Sequence, residues 1–177
     1  MQQHTKIALH TSFFALFTMS LFVTGCKDGN SPTAEENITK VEVHLVGGGI
    51  NKEFAWEDAD GSGGNAPTVE DIVILPNVTY TAHIHVYDGA KEVTSEIADE
   101  RDVHLFTFTV TGANLTVSEL DLDGNGKPFG GDSKWISGTA SAGSVNIKLH
   151  HEPTDKINAA NPGGEVDFDV VFPVKIQ

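Results

Sequence analysis

The closing segment EVDFDVVFPVKI places Val166, Phe168, Val170, Phe172, Val174 and Ile176 at every second position, with Glu165, Asp167 and Asp169 between them. Successive strand side chains point to opposite faces, so this pattern predicts a long strand with one buried and one wet face. Pro173 falls on the wet face. It has no N–H to give a ladder and predicts an edge position or a bulge. The same period recurs upstream. KVEVHLV puts Val41, Val43 and Leu45 together, and TYTAHIHVYD puts Tyr80, Ala82, Ile84 and Val86 opposite Thr81, His83, His85 and Tyr87. VHLFTFTV aligns Phe106, Phe108 and Val110, while EFAWED, NLTVSELD, KWISGTA and SVNIKLHH are further strand candidates. VGGGI at 46–50 reads as a turn between two strands. Only TSEIADERD has helical character, with Thr94 a candidate cap and Glu96 and Asp99 suited to a first turn. Short strands separated by Gly, Asn and Asp turns predict an all-β fold. The expectation is a single immunoglobulin-like β-sandwich of about seven to nine antiparallel strands, with little helix.

The N-terminus departs from this pattern. Residues 1–25 hold one early lysine, Lys6, then an apolar run from Ser12 to Val23 and small residues before Cys26. The run is short for a membrane-spanning helix and reads as a secretory signal. VTGC resembles the lipobox of bacterial lipoproteins, a family in which the signal is cut before the cysteine and that cysteine, here Cys26, is acylated. By the same resemblance, Lys27 after the cysteine favours the outer membrane over the inner one, and CKDGN is similar to surface-export signals. Residues 26–37 then form the acylated cysteine and a flexible tether, and 38–177 carry the sandwich. Each buried acyl CH₂ contributes about 0.8 kcal/mol, so several chains make a stable anchor. Cys26 is the only cysteine. With it acylated there is no disulfide, and the fold must stand on its core.

Charge narrows the partners. The chain carries a formal net charge of −14, and removing Lys6 with the signal leaves ten basic against 25 acidic residues, a net of −15. Such a balance argues against nucleic acid or anionic lipid as a partner and suits cations.

The sequence has no G-x-S-x-G, no H-E-x-x-H and no glycine-rich phosphate loop before a helix, so no catalytic residue is assigned and the chain is not read as an enzyme. Asn37, Asn77 and Asn114 head N-x-T triplets and read as turn residues. Two acidic loops share the opening of a calcium loop, with oxygen side chains at positions 1, 3 and 5 and glycine at 6. They are DADGSG, with Asp58, Asp60 and Ser62, and DLDGNG, with Asp121, Asp123 and Asn125. In the second, Asp132 stands at position 12, where a closing carboxylate belongs. The alternative is a pair of ordinary hairpin turns.

The histidines offer a second chemistry. His83 and His85 give two nitrogens on one strand face and need a third ligand from elsewhere; otherwise they are polar residues on a wet face. His44 lies opposite Val41, Val43 and Leu45 and is expected to be exposed. His104 shares its face with Phe106 and Phe108, and His151 with Val145, Ile147 and Leu149. His104 begins its strand and His151 ends its own, so antiparallel neighbours bring them together. Glu96, Asp99, Glu100 and Asp102 precede His104 as nearby carboxylates. The expected zinc or copper ligands are His104, His151 and Glu100, in preference to His83 and His85. The alternative is a rim histidine bonded to one of these acids.

FAWEDADGSGG, TYTAHIHVYD, EIADERDVHLFTF, DLDGNGKPFG, LHHEP and GGEVDFDVVFPVKIQ, taken in order after the lipobox, resemble a family of small Gram-negative lipoproteins. These are often labelled as carrying a type 1 periplasmic-binding domain. That label implies two α/β lobes, whereas the period-2 pattern here predicts strands almost throughout. The functional expectation is a lipid-anchored, non-catalytic binding module at the outer membrane or cell surface, taking a metal cation beside an outer-membrane uptake receptor. The alternative is a structural or adhesion module whose loops calcium stiffens.

Overall fold

The computed structural model describes residues 37–61 and 64–177; Cys26, the signal segment and nearly all of the tether lie outside them. Among the described residues there are eleven strands and one short α-helix. In chain order they are β1 Lys40–Gly47, β2 Ile50–Glu57, β3 Thr68–Val69, β4 Ile72–Ile74, β5 Thr79–Asp88, β6 Lys91–Glu92, α1 Thr94–Asp99, β7 His104–Thr111, β8 Leu115–Ser118, β9 Asp132–Ser137, β10 Ser141–His151 and β11 Glu165–Ile176. They form two sheets, one of seven strands and one of four, and one of the two is curled into a half-barrel. The first runs β3-β2-β1-β5-β9-β8 with β6 on the end of β5; the second runs β4-β11-β10-β7.

The alternating pattern sets the faces. Val41, Val43, Leu45, Tyr80, Ala82, Ile84 and Val86 are buried from the first sheet, and Phe106, Val145, Ile147, Leu149, Phe168, Val170, Phe172, Val174 and Ile176 from the second. Burying a large apolar side chain stabilises by about 1.5–3 kcal/mol. The polar ends of the buried aromatics are satisfied: Trp135 Nε1 donates to Ser133 Oγ at 3.0 Å, and Tyr80 Oη accepts from the Leu75 N–H at 2.9 Å. VGGGI closes the β1–β2 hairpin. Gly47 pairs with Ile50, and Gly48 and Gly49 between them have φ of 56° and 84°, the positive values a type I′ turn requires.

Three features differ from the sequence expectation. Eleven strands form, because short pieces such as β3, β4 and β6 add to the sheet edges. Not every pair is antiparallel: β4 runs parallel to β11, with Ile72 opposite Val174. Two residues, Glu70 and Asp71, separate β3, on the edge of the first sheet, from β4, on the edge of the second. β4 starts just past Pro173, which therefore sits on a flank of β11 that no strand covers. Finally, Thr94 does not cap α1; Val93 occupies that position. The β9 pairing stops at His83 and the β6 pairing begins at Tyr87, so the edge of β5 is open between them. There the Ile84 N–H donates to the Gly131 carbonyl at 2.9 Å, and the Val86 N–H to Thr94 Oγ1 at 2.8 Å. The Thr94 hydroxyl is used to fill the sheet and is not free for the helix.

Candidate metal centre

At one end of the four-stranded sheet, His104 opens β7 directly opposite His151, which closes β10. Their rings stack with centroids 4.9 Å apart and an interplanar angle of 17°. A third group comes from β11. The β10–β11 register pairs Leu149 with Phe168 but His150 with Val166, leaving Asp167 as the extra residue of a β-bulge. A bulge breaks the strand's alternation and re-aims the side chain it carries. Asp167, in phase with the wet face by sequence, is turned toward the histidines. Val166, in phase with the core, is left 46% exposed. Metal-ligating atoms of His104, His151 and Asp167 all lie within 4.8 Å of one another.

The hydrogen bonding around His104 fixes its chemistry. Nδ1 donates to the Glu100 carbonyl at 3.1 Å, so Nε2 carries the lone pair. Nε2 faces Asp167 Oδ2 at 3.8 Å, too far for a hydrogen bond. Two ligands at about 2.0–2.1 Å from a tetrahedral zinc stand roughly 3.4 Å apart, so a small side-chain movement brings this pair onto one ion. Burial lowers the His104 pKa from its ordinary value, outweighing the Glu100 carbonyl and the Asp167 charge that raise it. The ring is therefore held neutral, the form a metal requires. A nitrogen tied to a backbone carbonyl is also the usual support of a metal-bound imidazole. His151 and Asp167 are half-buried, leaving the centre open on one side.

Glu100, expected as the third ligand, does not join this cluster. Its carboxylate is exposed and its carbonyl does the bonding, because it ends α1 with φ of −100° and ψ of 23° and turns its C=O onto the ring. The carboxylate that lies beside the two histidines is that of Asp167. Nothing local in the sequence marks this residue, since the bulge is set by pairing between strands.

The carboxylates of the 121–132 loop are hydrogen-bonded, whereas in the first loop Asp58 Oδ1 is buried with no hydrogen-bond partner among the described residues. Asp121 Oδ1 accepts from the N–H groups of Gly130 at 3.0 Å and Asp132 at 2.9 Å. Asp123 Oδ1 accepts from those of Asn125 at 2.9 Å and Lys127 at 2.8 Å. Asp132 Oδ1 accepts from His83 Nδ1 at 2.6 Å. The other oxygen of Asp123 meets Lys156 Nζ at 2.7 Å, with the two side chains only 1% and 4% exposed. Burial pushes the Asp123 carboxyl up, but Lys156 and the two N–H groups outweigh it and hold it below its usual range. The loop expected to take calcium through Asp121, Asp123, Asn125 and Asp132 thus gives its central carboxylate to a lysine ammonium. Lys156, 33 residues away, was not visible as its partner in the sequence. In the first loop Asp60 Oδ2 accepts from the N–H of Asn65 at 3.0 Å and its Nδ2 at 2.7 Å, while Ser62 lies outside the described residues. Two of the three sequons hold turn or bend positions: Asn77 has φ of 57°, and Asn114 Nδ2 donates to Thr139 Oγ1 at 2.8 Å, whereas Asn37 lies in irregular chain before β1.

No protein-family model, curated protein or solved structure matches the chain. The fold and the centre therefore define the class available here: a mostly β, two-sheet domain with a His/Asp constellation of metal-site geometry.

Proposed function

We propose that this protein is a non-catalytic binding module for a divalent transition metal, zinc or copper. The observation that carries the reading is the convergence of His104, His151 and Asp167, with the His104 ring neutral and oriented by the Glu100 carbonyl. Imidazole nitrogens with one carboxylate suit zinc and copper better than calcium, which takes six to eight oxygens. The net charge of −14 draws cations to the surface at large. The 121–132 loop, whose central carboxylate is held by Lys156, lends no support to a calcium-stiffened adhesion module.

The remainder of the proposal rests on sequence. Acylation at Cys26 holds the module on the outer membrane, facing the periplasm or the cell exterior, as in the small Gram-negative lipoproteins it resembles. There it serves as a metal-holding partner of an outer-membrane uptake receptor. We read the two packed, mainly antiparallel sheets as a variant of the immunoglobulin-like sandwich. The test is elemental analysis of the mature protein, made soluble by Cys26→Ser, with melting measured before and after chelation. Stoichiometric zinc or copper and a lower melting temperature after chelation are expected. A protein that binds neither metal, or only calcium, refutes the reading.

A further inference from the structure

On the outer face of the seven-stranded sheet lies a second group of ligating side chains. His44 of β1 stands opposite His83 of β5 on one side and Glu53 of β2 on the other, with His85 on the next outward position of β5. The His44 ring lies 5.8 Å from that of His83 and 5.9 Å from that of His85. Ligating atoms of His44, Glu53 and His85 all fall within 4.8 Å of one another. Each imidazole has one nitrogen already tied. His85 Nδ1 donates to Glu92 Oε1 at 2.8 Å, His83 Nδ1 to Asp132 Oδ1 at 2.6 Å, and His44 Nε2 to Asn51 Oδ1 at 2.6 Å. Carboxylate and amide oxygens only accept, so the three protons are fixed on those nitrogens. In the neutral rings the lone pairs are then on the opposite nitrogens, Nε2 of His83 and His85 and Nδ1 of His44. A histidine whose second nitrogen is held by a carboxylate is the standard support of a metal ligand. His83 and His85 are thus more than wet-face residues.

These three histidines also line a cleft of about 370 Å³ together with Arg101, Asp121 and Phe129. Arg101 is the only arginine in the chain. Its Nε donates to the Ala98 carbonyl at 2.8 Å and its guanidinium lies 5.5 Å from the Phe129 ring centroid, which fixes its direction. Among the described residues no carboxylate pairs with it. In a chain this acidic, a positioned guanidinium without a carboxylate is a place for one brought from outside, since its planar fork matches that group.

We propose that His44, His85 and Glu53, with His83 beside them, form a second transition-metal site whose coordination is completed by a small carboxylate-bearing molecule received by Arg101. This site is distinct from the His104 centre: it is built on the half-buried His44, His83 and His85 and the exposed Glu53 of the sheet's outer face, and is suited to a metal that arrives already chelated. Cobalt(II) is the probe, since its visible absorption reports bound geometry. The mature protein carrying Cys26→Ser is expected to take two equivalents. His104→Ala/His151→Ala should remove one, and His44→Ala/His85→Ala the other; melting of metal-free His44→Ala/His85→Ala should stay close to wild type because these residues are not core, while His104→Ala/His151→Ala, which loses the buried His104, is checked for a folded circular dichroism spectrum before cobalt is added. Malonate should shift the spectrum of the cobalt-loaded His104→Ala/His151→Ala variant. Arg101→Gln in that background should need at least tenfold more malonate. If His104→Ala/His151→Ala binds no cobalt, the second site is refuted while the His104 centre stands. If instead His44→Ala/His85→Ala binds none, the His104 centre fails and the cleft is the metal site. A malonate response equal with and without Arg101 overturns the carboxylate assignment.

Discussion

Replacing Lys156 with methionine probes the most demanding interaction in the fold. Lys156 Nζ bonds Asp123 Oδ2 and the Arg101 carbonyl, both at 2.7 Å, and neither member of the ion pair is more than 4% exposed. Methionine keeps most of the side-chain volume but removes the charge, leaving the Asp123 carboxylate buried with only two backbone N–H groups on its other oxygen. Breaking a buried pair from one side costs about 3–5 kcal/mol, against 0–1 kcal/mol for a surface pair. At roughly 2–4 °C per kcal/mol for a chain of this size, melting should fall by about 6–20 °C. Urea unfolding followed by circular dichroism measures the free energy directly. Asp123→Asn combined with Lys156→Met should recover a large part of the loss, since no buried charge then remains. The same variant tests the loop: with the ammonium gone, millimolar calcium should stabilise Lys156→Met and leave wild type unchanged. Acid adds a further check. The Asp123 carboxyl is depressed when folded, so its contribution is full above the unfolded value of about 3.9 and is lost as pH falls through the lower folded value. A loss under about 1 kcal/mol, with no recovery in the double variant, would show that the pair behaves as a surface contact and that the reasoning is wrong.

Other consequences can be checked separately. Burial lowers the pKa of His104, so below about 6.5 the unfolded chain takes up a proton that the native state refuses. Metal-free stability should therefore fall as pH drops from about 6.5 toward the folded value, by up to about 1.4 kcal/mol per pH unit from this group, and His104→Asn should reduce the slope in a melting series to the share left by His150, whose pKa burial also lowers. Gly164 has φ of 79°, and a Cβ there would lie 2.2 Å from the His151 carbonyl oxygen. Gly164→Ala should lower stability by roughly 1–3 kcal/mol and weaken zinc binding by displacing His151, which calorimetric titration will read. Cys26→Ser should move the protein from the membrane fraction to the soluble one; a variant that stays in the membrane fraction with a mass unchanged from wild type apart from the substitution would remove the lipobox reading.

Much of this architecture is legible in the sequence because burial imposes period 2 on it. The faces of β1, β5 and β11 follow from Val41, Tyr80 and Phe172 and their alternate neighbours. So does the meeting of His104 and His151, which needs only that one begins and the other ends an antiparallel strand. What stays hidden depends on pairing between distant segments. Asp167 reads as a wet-face acid until the mismatch against Leu149 and His150 creates the bulge. Glu100 offers a carboxylate in the sequence, but the backbone path at the end of α1 presents its carbonyl. The three residues of β4 are too few to show a period, so their parallel pairing with β11 leaves no trace. His83 and His85 pass for solvent-facing polar residues until Asp132 and Glu92, each on another strand, are seen to hold their Nδ1 protons.

Anomalous diffraction at the zinc edge from crystals of the mature protein grown with zinc addresses the central claim most directly. A peak is expected between His104 Nε2, His151 and Asp167 Oδ2, at about 2.0–2.2 Å from each ligand atom, with the His104 Nδ1 bond to the Glu100 carbonyl retained. Ordered density for these three side chains with no anomalous peak among them would contradict it.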